Sequence, residues 1–254
     1  MNSNKLINYL KNKEIYVISP HLDDAILSMG MFLYLLRNTK KTTIINAFTK
    51  AAEGPYTLSG RKFLDIAGYS NAIDLFKVRE IEDRNAQKFV NTKTINLGLT
   101  EALYRTKTSK TILGKYIPEF DHIYPTYRWH LLKKVSPIDT AANDLTAKLS
   151  KLIPKNAVVF SPFGIGNHAD HVITYNVCKK LFKDVIYYVD FPYNVRLSNF
   201  GKTPKGYEEF NLDVDLKIKS KLGHFYKSQI NGLFPNGILP THQEKIFLPQ
   251  FLIK

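Results

Sequence analysis

The sequence predicts an α/β fold, with a mainly parallel sheet and helices packed on both of its faces. Two observations and one topological rule carry this. Short apolar runs of strand length alternate with longer segments of helical spacing, which is the pattern of βαβ units. One of these runs, Ala157–Phe160, is apolar throughout. Right-handed crossovers then distribute the helices over both faces. The chain has 254 residues, 44% of them hydrophobic, enough for one large domain with a core or two small ones.

Ile15–Ile18 reads as a short buried strand, followed by a mostly apolar helix over Ala25–Leu36. Lys40 and Lys41 fit a surface turn before a second strand, Thr43–Thr49, which a loop running to Tyr56 ends. Arg61–Val90 has helical spacing, with apolar residues at Ile73, Leu75, Phe76, Ile81, Ala86, Phe89 and Val90, and Gly68 marks where it divides. Thr94–Leu97 is a third strand, stopped by Gly98. From Leu99 to Pro137 the periodicity is lost. Tyr104, Tyr116, Phe120, Tyr124, Tyr127 and Trp129 lie there among prolines. An aromatic loop of this length either walls a substrate cleft or packs locally on itself.

Helical spacing resumes over Ile138–Leu152 and Pro154 ends it. After the strand Ala157–Phe160 come a Gly/Pro loop from Ser161 to His171, a helix over Val172–Phe182, and a strand over Val185–Val189 that ends at Asp190, Pro192 and Tyr193. The last quarter holds a β segment near Tyr207–Val214, a helix from Asp215 to about Gln229, and a Gly/Pro-rich tail. With no linker-like break and no internal repeat, residues 1–254 read as one domain with an aromatic-rich insertion at about 99–137.

The formal net charge of +14 admits two readings: a solvated, Lys-rich surface, or an anionic small or lipid-linked partner. No basic block of five or six residues and no basic stripe interleaved with aromatics occurs, so nucleic acid is not expected. Cys178 is the one cysteine, which excludes an internal disulfide framework; buried and inert is its default. Met1–Asn8 lacks the apolar core of a signal peptide, and Ala25–Leu36 is too short for a transmembrane span. A soluble cytoplasmic protein is expected, with peripheral membrane contact left open. Oligomeric state is not legible.

Two strand-to-helix turns carry the chemistry. The first is Pro20-His21-Leu22-Asp23-Asp24; the second is His168-Ala169-Asp170-His171. In open parallel sheets ligands bind outside the carboxyl ends of the strands, and neighbouring strands bring both turns to one edge. Catalytic zinc takes three nitrogen or oxygen ligands and keeps one position open, and His21, Asp24 and His171 supply such a set. The spacing of His21 and Asp24 matches one helical turn. Asp23 then lies beside the metal, free to accept a proton from water made acidic by it. His168 is placed to polarise a carbonyl or protonate a leaving amine, and Asp170 to fix an imidazole in one tautomer. Other readings stand beside this one. An aspartate at a helix start is commonly an N-cap. Two histidines and a carboxylate also describe the facial triad of iron oxygenases. Another hydrolase acting on a phosphoester or a different amide, and a metal-free sugar or nucleotide binder, fit the same residues.

Together the two motifs resemble the de-N-acetylase family of the PIG-L/LmbE type, which carries Pro-His-Pro-Asp-Asp-Glu after its first strand and His-x-Asp-His later. The likeness extends to Thr49–Gly54, to Arg79–Ala86 and to Lys219–Gln229, leaving out about 99–154 and the tail. It implies a Rossmann-like three-layer sandwich with a mainly parallel central sheet. The implied activity is that of an N-deacetylase, a carbon–nitrogen hydrolase of linear amides that removes an acyl group, usually acetyl, from an amino sugar or its conjugate. The implied cofactor is Zn2+, or another divalent metal such as Fe2+. His21, Asp24 and His171 match the metal ligands and Asp23 the general base. His168 matches the residue that stabilises the tetrahedral intermediate or acts as acid, and Asp170 its partner. Arg79 resembles an arginine that holds substrate in some members. The chain departs from the pattern at Leu22 and Ala25, where the family has proline and glutamate. It departs again in Gly164–Asn167, where some members have a tyrosine.

Overall fold

The computed structural model describes residues 3–38, 42–197, 203–212, 214–234, 239–240 and 242–252; Lys40 and Lys41 lie outside them. Among the described residues seven strands form one sheet: β1 (Ile15–Ser19), β2 (Thr42–Lys50), β3 (Lys93–Thr100), β4 (Val158–Pro162), β5 (Ile186–Tyr188), β6 (Tyr207–Leu212) and β7 (Glu244–Pro249). Their order is β3-β2-β1-β4-β5-β7-β6. The first five run parallel, while β7 is antiparallel to both β5 and β6. The chain builds outward from β1 to β3, then returns to lay β4 on β1's other side. The carboxyl ends of β1 and β4 are therefore a topological switch point, the place where such sheets open a crevice.

Alternation along each strand assigns the two faces. Ile15 and Val17 of β1 face a core shared with α1 (Ser3–Leu10), α2 (Asp24–Leu36), α8 (Leu216–Gly223) and α9 (Lys227–Leu233). Ile18 faces the opposite core with α5 (Ala141–Leu152) and α6 (Ala169–Leu181). A third cluster joins α3 (Leu58–Ala67) and α4 (Ala72–Phe89) to Leu103, Tyr104, Tyr124 and Leu131 of the insertion. The insertion is thus folded, as a series of 3-10 turns and one π turn over Tyr127–Leu131. No helix among the described residues is long and apolar enough to cross a membrane.

The elements differ from the sequence expectation in four places, and agree with it at Gly68. Gly98 does not stop β3: at φ 70° it takes the left-handed conformation open to glycine, the pairing with β2 shifts register there, and the strand continues to Thr100. Gly68, at φ 79°, does divide the helices, as the C-cap of α3. The helix expected from Val172 starts at Ala169, because His168 caps it. The expected helix to Gln229 breaks between α8 and α9, where buried Tyr226 leaves helical geometry and donates its hydroxyl to Asp83 Oδ1 at 2.8 Å. The Gly/Pro-rich tail contains β7, a buried strand in the sheet.

The buried strand β7 supports a kink in α2. Met29 is non-helical (φ −138°, ψ 25°), which releases hydrogen bonds of the i to i−4 ladder inside the core. Glu244 accepts from Met31 N–H at 2.8 Å and Phe32 N–H at 2.9 Å, and Lys219 donates to the Leu27 carbonyl at 2.6 Å. Lys219 and Glu244 are themselves paired at 2.5 Å. An ion pair therefore stands in for the missing ladder bond and satisfies groups that are costly to bury alone.

Candidate active site

Both predicted turns lie at the switch point. After β1 the chain turns at Ser19, whose hydroxyl donates to the His21 carbonyl (2.7 Å) and accepts from Ala25 N–H (3.0 Å). His21 precedes α2 instead of lying on it, and its own N–H bonds Asp24 Oδ2 at 2.8 Å. Asp23 occupies the N-cap position of α2 without making a cap hydrogen bond. Its carboxylate is therefore not consumed by the helix end. After β4, Gly164 (φ 77°) and Gly166 (φ 81°) turn the chain through left-handed conformations. A side chain on Gly166 would run into the ring of Tyr193.

Three buried imidazoles converge, with centroids 4.9 Å apart for His21 and His168, 5.3 Å for His21 and His171, and 5.3 Å for His168 and His171. Asp24 Oδ2 lies 3.1 Å from His21 Nδ1 and 3.3 Å from His171 Nε2. The far nitrogen of each ring meets a second carboxylate: His21 Nε2 is 3.1 Å from Asp170 Oδ2, and His171 Nδ1 is 2.6 Å from Asp190 Oδ1. Outer carboxylates of this kind fix ring orientation in metal sites. Asp170 thus holds the imidazole of His21, not that of His168 as the family pattern implied. Its other contacts are the Ala102 N–H at 2.8 Å and the guanidinium of Arg105, which also pairs with Asp139. His168 Nδ1 accepts the Asp170 N–H at 3.3 Å, so the neutral ring carries its proton on Nε2.

Arg79 is buried and pairs with Glu101 at 2.8 Å, with its other terminal nitrogen 3.9 Å from Asp23 Oδ1. Its Nε has no partner. A pocket of about 70 Å³ is lined by these side chains together with Tyr127 and Tyr193. Tyr127 comes from the insertion and Tyr193 from α7 (Tyr193–Arg196), standing 6.4 Å from His168 and 5.5 Å from His171 respectively. Ala25 and Leu22, the two departures from the family motif, are each 1% exposed and pack in apolar clusters.

The electrostatics separate the groups. Burial, and then the Asp24 charge beside it, push Asp23 up to about 7 against the pull of Arg79. Burial acts against ionisation of Asp24 as well, but His171 and His21 hold it well below the usual carboxylate range. Burial also opposes charging His171, yet Asp24 and Asp190 raise it to about 9. His21 is likewise raised against burial, by Glu101, Asp24 and Asp170. Burial and the neighbouring His21 hold His168 well below 6.5. Around the pocket the carboxylates Asp23, Asp24, Asp170, Asp190 and Glu101 outnumber the guanidiniums of Arg79 and Arg105, so the site attracts positive charge.

Among the described residues, two buried groups bring ligand-type atoms within 4.8 Å of one another: His21, Asp24 and His171, and His21, His168 and Asp170. The first fits a divalent cation better. In the second, Asp170 is occupied by Arg105 and a backbone N–H, and His168 Nδ1 accepts a backbone hydrogen bond. In the first, the outer ring nitrogens are engaged and the inner ones face a shared carboxylate oxygen.

A mainly parallel α/β sheet with a buried His/Asp pocket at its switch point defines a Rossmann-like protein with its polar site at the strand ends. The chain belongs to the PIG-L family, described as GlcNAc-PI de-N-acetylase, which matches residues 16–182. Among solved structures it is similar to the zinc-inhibited form of teicoplanin deacetylase Orf2, with a TM-score of 0.67 and 21% identity over 92% of this chain and 97% of that one. It is also similar to the A40926 pseudoaglycone deacetylase Dbv21, with a TM-score of 0.65 and 20% identity over 93% and 97%. At these identities the likeness is one of fold. Among curated proteins no relative matches.

Sequence reasoning missed Asp190, Arg105 and Glu101. Asp190 had a signal: it directly follows an apolar strand, as His21 nearly does. Arg105 and Glu101 had none, since their partners Asp170 and Arg79 are distant in sequence.

Proposed function

We propose that the protein is a metal-dependent N-deacylase that hydrolyses the acetamide of an amino sugar or its conjugate. The observation that carries this reading is the placement of Asp24 Oδ2 between His21 Nδ1 and His171 Nε2, beside an Asp23 that caps nothing. His21, Asp24 and His171 are the residues to hold a divalent ion, Zn2+ or Fe2+ in its stead. Such an ion supplies Lewis-acid polarisation of the amide carbonyl and lowers the pKa of water.

Asp23 accepts the proton of the attacking water, a role suited to a carboxyl poised near neutrality. Arg79 stands beside Asp23, a terminal nitrogen 3.9 Å from its Oδ1, and lines the pocket where it can meet a polar group of the substrate. His168, neutral and protonated on Nε2, donates to the oxygen that gains charge as the carbonyl becomes tetrahedral. Its depressed pKa favours this donor role over that of a protonated acid. Asp170 orients His21 and is itself held by Arg105. A pocket of about 70 Å³ takes a few waters or a short acyl chain and leaves a sugar ring outside.

Acetate release from N-acetylglucosamine conjugates, with metal content measured on the same protein, tests this reading. Asp23→Ala is expected to lower kcat by about 10²–10⁴-fold while bound metal per chain stays unchanged. Full turnover in that variant overturns the assignment of the base.

A further inference from the structure

The insertion also presents an apolar surface that hydrolysis does not use. Ile112, Leu113, Tyr116, Ile117, Phe120 and Trp129 are all exposed, with Ile112 at 82%, Tyr116 at 81% and Trp129 at 71%. They belong to one surface. Residues 113–120 and the π turn over Tyr127–Leu131 dock side by side on the start of α3: Glu119 accepts the Leu58 N–H at 2.7 Å, and Ser59 Oγ accepts the Tyr127 N–H at 3.1 Å. Leu58 between them is itself 54% exposed. Contiguous exposed apolar side chains of this size mark an interaction site.

The charge of the same segment selects the partner. Residues 106–134 carry Lys107, Lys110, Lys115, Arg128, Lys133 and Lys134 against two acids, Glu119 and Asp121. Both acids are occupied: Glu119 as above, and Asp121 Oδ1 by the Thr111 N–H at 3.0 Å and hydroxyl at 2.8 Å. Lys133 stands over the Trp129 ring, 5.7 Å from its centroid. Trp and Tyr among aliphatic residues, in a segment with six basic residues of which Lys133 lies over the Trp129 ring, match the boundary of an anionic bilayer, where rings sit at headgroup level and each basic residue meets negative lipid. A second copy of this chain would bring like charge against like charge. Tyr127, in the same turn as Trp129, lines the catalytic pocket, so the patch adjoins the pocket's rim.

We propose that this lobe seats the protein on an anionic lipid surface, with the pocket opening beside the membrane. The proposal is independent of the reading of the reaction, because binding requires no turnover. Trp129 is the only tryptophan in the chain and reports the contact directly. The full-length protein is mixed with vesicles of phosphatidylcholine alone or with one third phosphatidylglycerol. The expected result is a blue shift of Trp129 emission, quenching by brominated acyl chains, and co-sedimentation with the anionic vesicles only. Ile112→Ser with Tyr116→Ser keeps the reporter and is expected to weaken partitioning at least about tenfold by removing buried apolar area. Lys133→Gln is expected to weaken it about fivefold. Both changes are at exposed positions, so an unchanged urea midpoint checks that the variants fold. Unshifted emission, equal binding to neutral vesicles, or full binding by the double serine variant overturns the proposal. So does a dimer seen by light scattering that the double variant dissolves without any vesicle binding, which assigns the patch to a second copy.

Discussion

Charge is buried at two places along α2, and the two differ in balance. At the kink, Lys219 meets Glu244 one to one, and the hydrogen bonds they make to Leu27, Met31 and Phe32 close the set. At the N-terminal end, five carboxylates surround two guanidiniums, and the excess of negative charge draws His21 and His171 upward in pKa. The first cluster is closed by the fixed charges of its own side chains; the second reaches balance only by holding protons on His21 and His171, the positions a bound cation would take. Burial of charge is thus no sign of function by itself. What separates a structural pair from a binding site is whether the surrounding chain leaves one sign uncompensated and its ligand atoms facing a common point.

The largest effect that sharpens this contrast is Lys219→Met. It leaves the Glu244 charge buried without its partner, and breaking such a pair costs about 3–5 kcal/mol. Urea unfolding measures the loss, and the folded fraction is expected to retain full metal content; a normal unfolding midpoint would remove the structural role. The counterpart in the pocket is Asp190→Asn. The amide still accepts from the Gly164 and Ile165 N–H groups that Asp190 bonds at 2.8 and 3.2 Å, so stability changes little. It removes the charge behind His171, and metal affinity is expected to fall about 10–100-fold by competition with a chelating dye. Unfolding by Asp190→Asn with unaltered metal affinity would reverse the contrast.

The five parallel strands and their helices were legible because each is a local apolar run in its own period. β7 was not. Its first residue is Glu244, a buried acid whose justification is a kink more than two hundred residues earlier, and Pro249 ends it. The same division runs through the site. His21, Asp23 and Asp24 are neighbours in the chain, and His168, Asp170 and His171 are neighbours too, so motif spacing found them. Which ring each carboxylate holds depends on how β1, β4 and β5 lie in the sheet, and spacing is blind to that. Spacing leaves open which imidazole Asp170 holds; the family pattern pairs it with His168, whereas it meets His21, and Asp190 reads from the sequence only as the end of a strand.

The smallest effect concerns a group that the balanced cluster excludes. His242 stacks on Phe191 with centroids 4.2 Å apart, its Nδ1 is 3.1 Å from the Pro240 carbonyl, and Lys219 faces it. Burial, then the Lys219 charge, lower it to about 4. The unfolded chain therefore binds a proton at higher pH than the folded one. Stability from this residue is present above its unfolded value of about 6.5 and is lost as pH falls from there toward 4. Between pH 7 and pH 5.5 the loss is about 1 kcal/mol, which His242→Phe is expected to abolish while keeping the stack. Urea unfolding of both proteins at the two pH values isolates this contribution, since every other titrating group, including those of the pocket, is common to the pair. A slope unchanged by His242→Phe would mean that the cluster at the kink tolerates a third charge, and its closure would then not be what distinguishes it from the pocket.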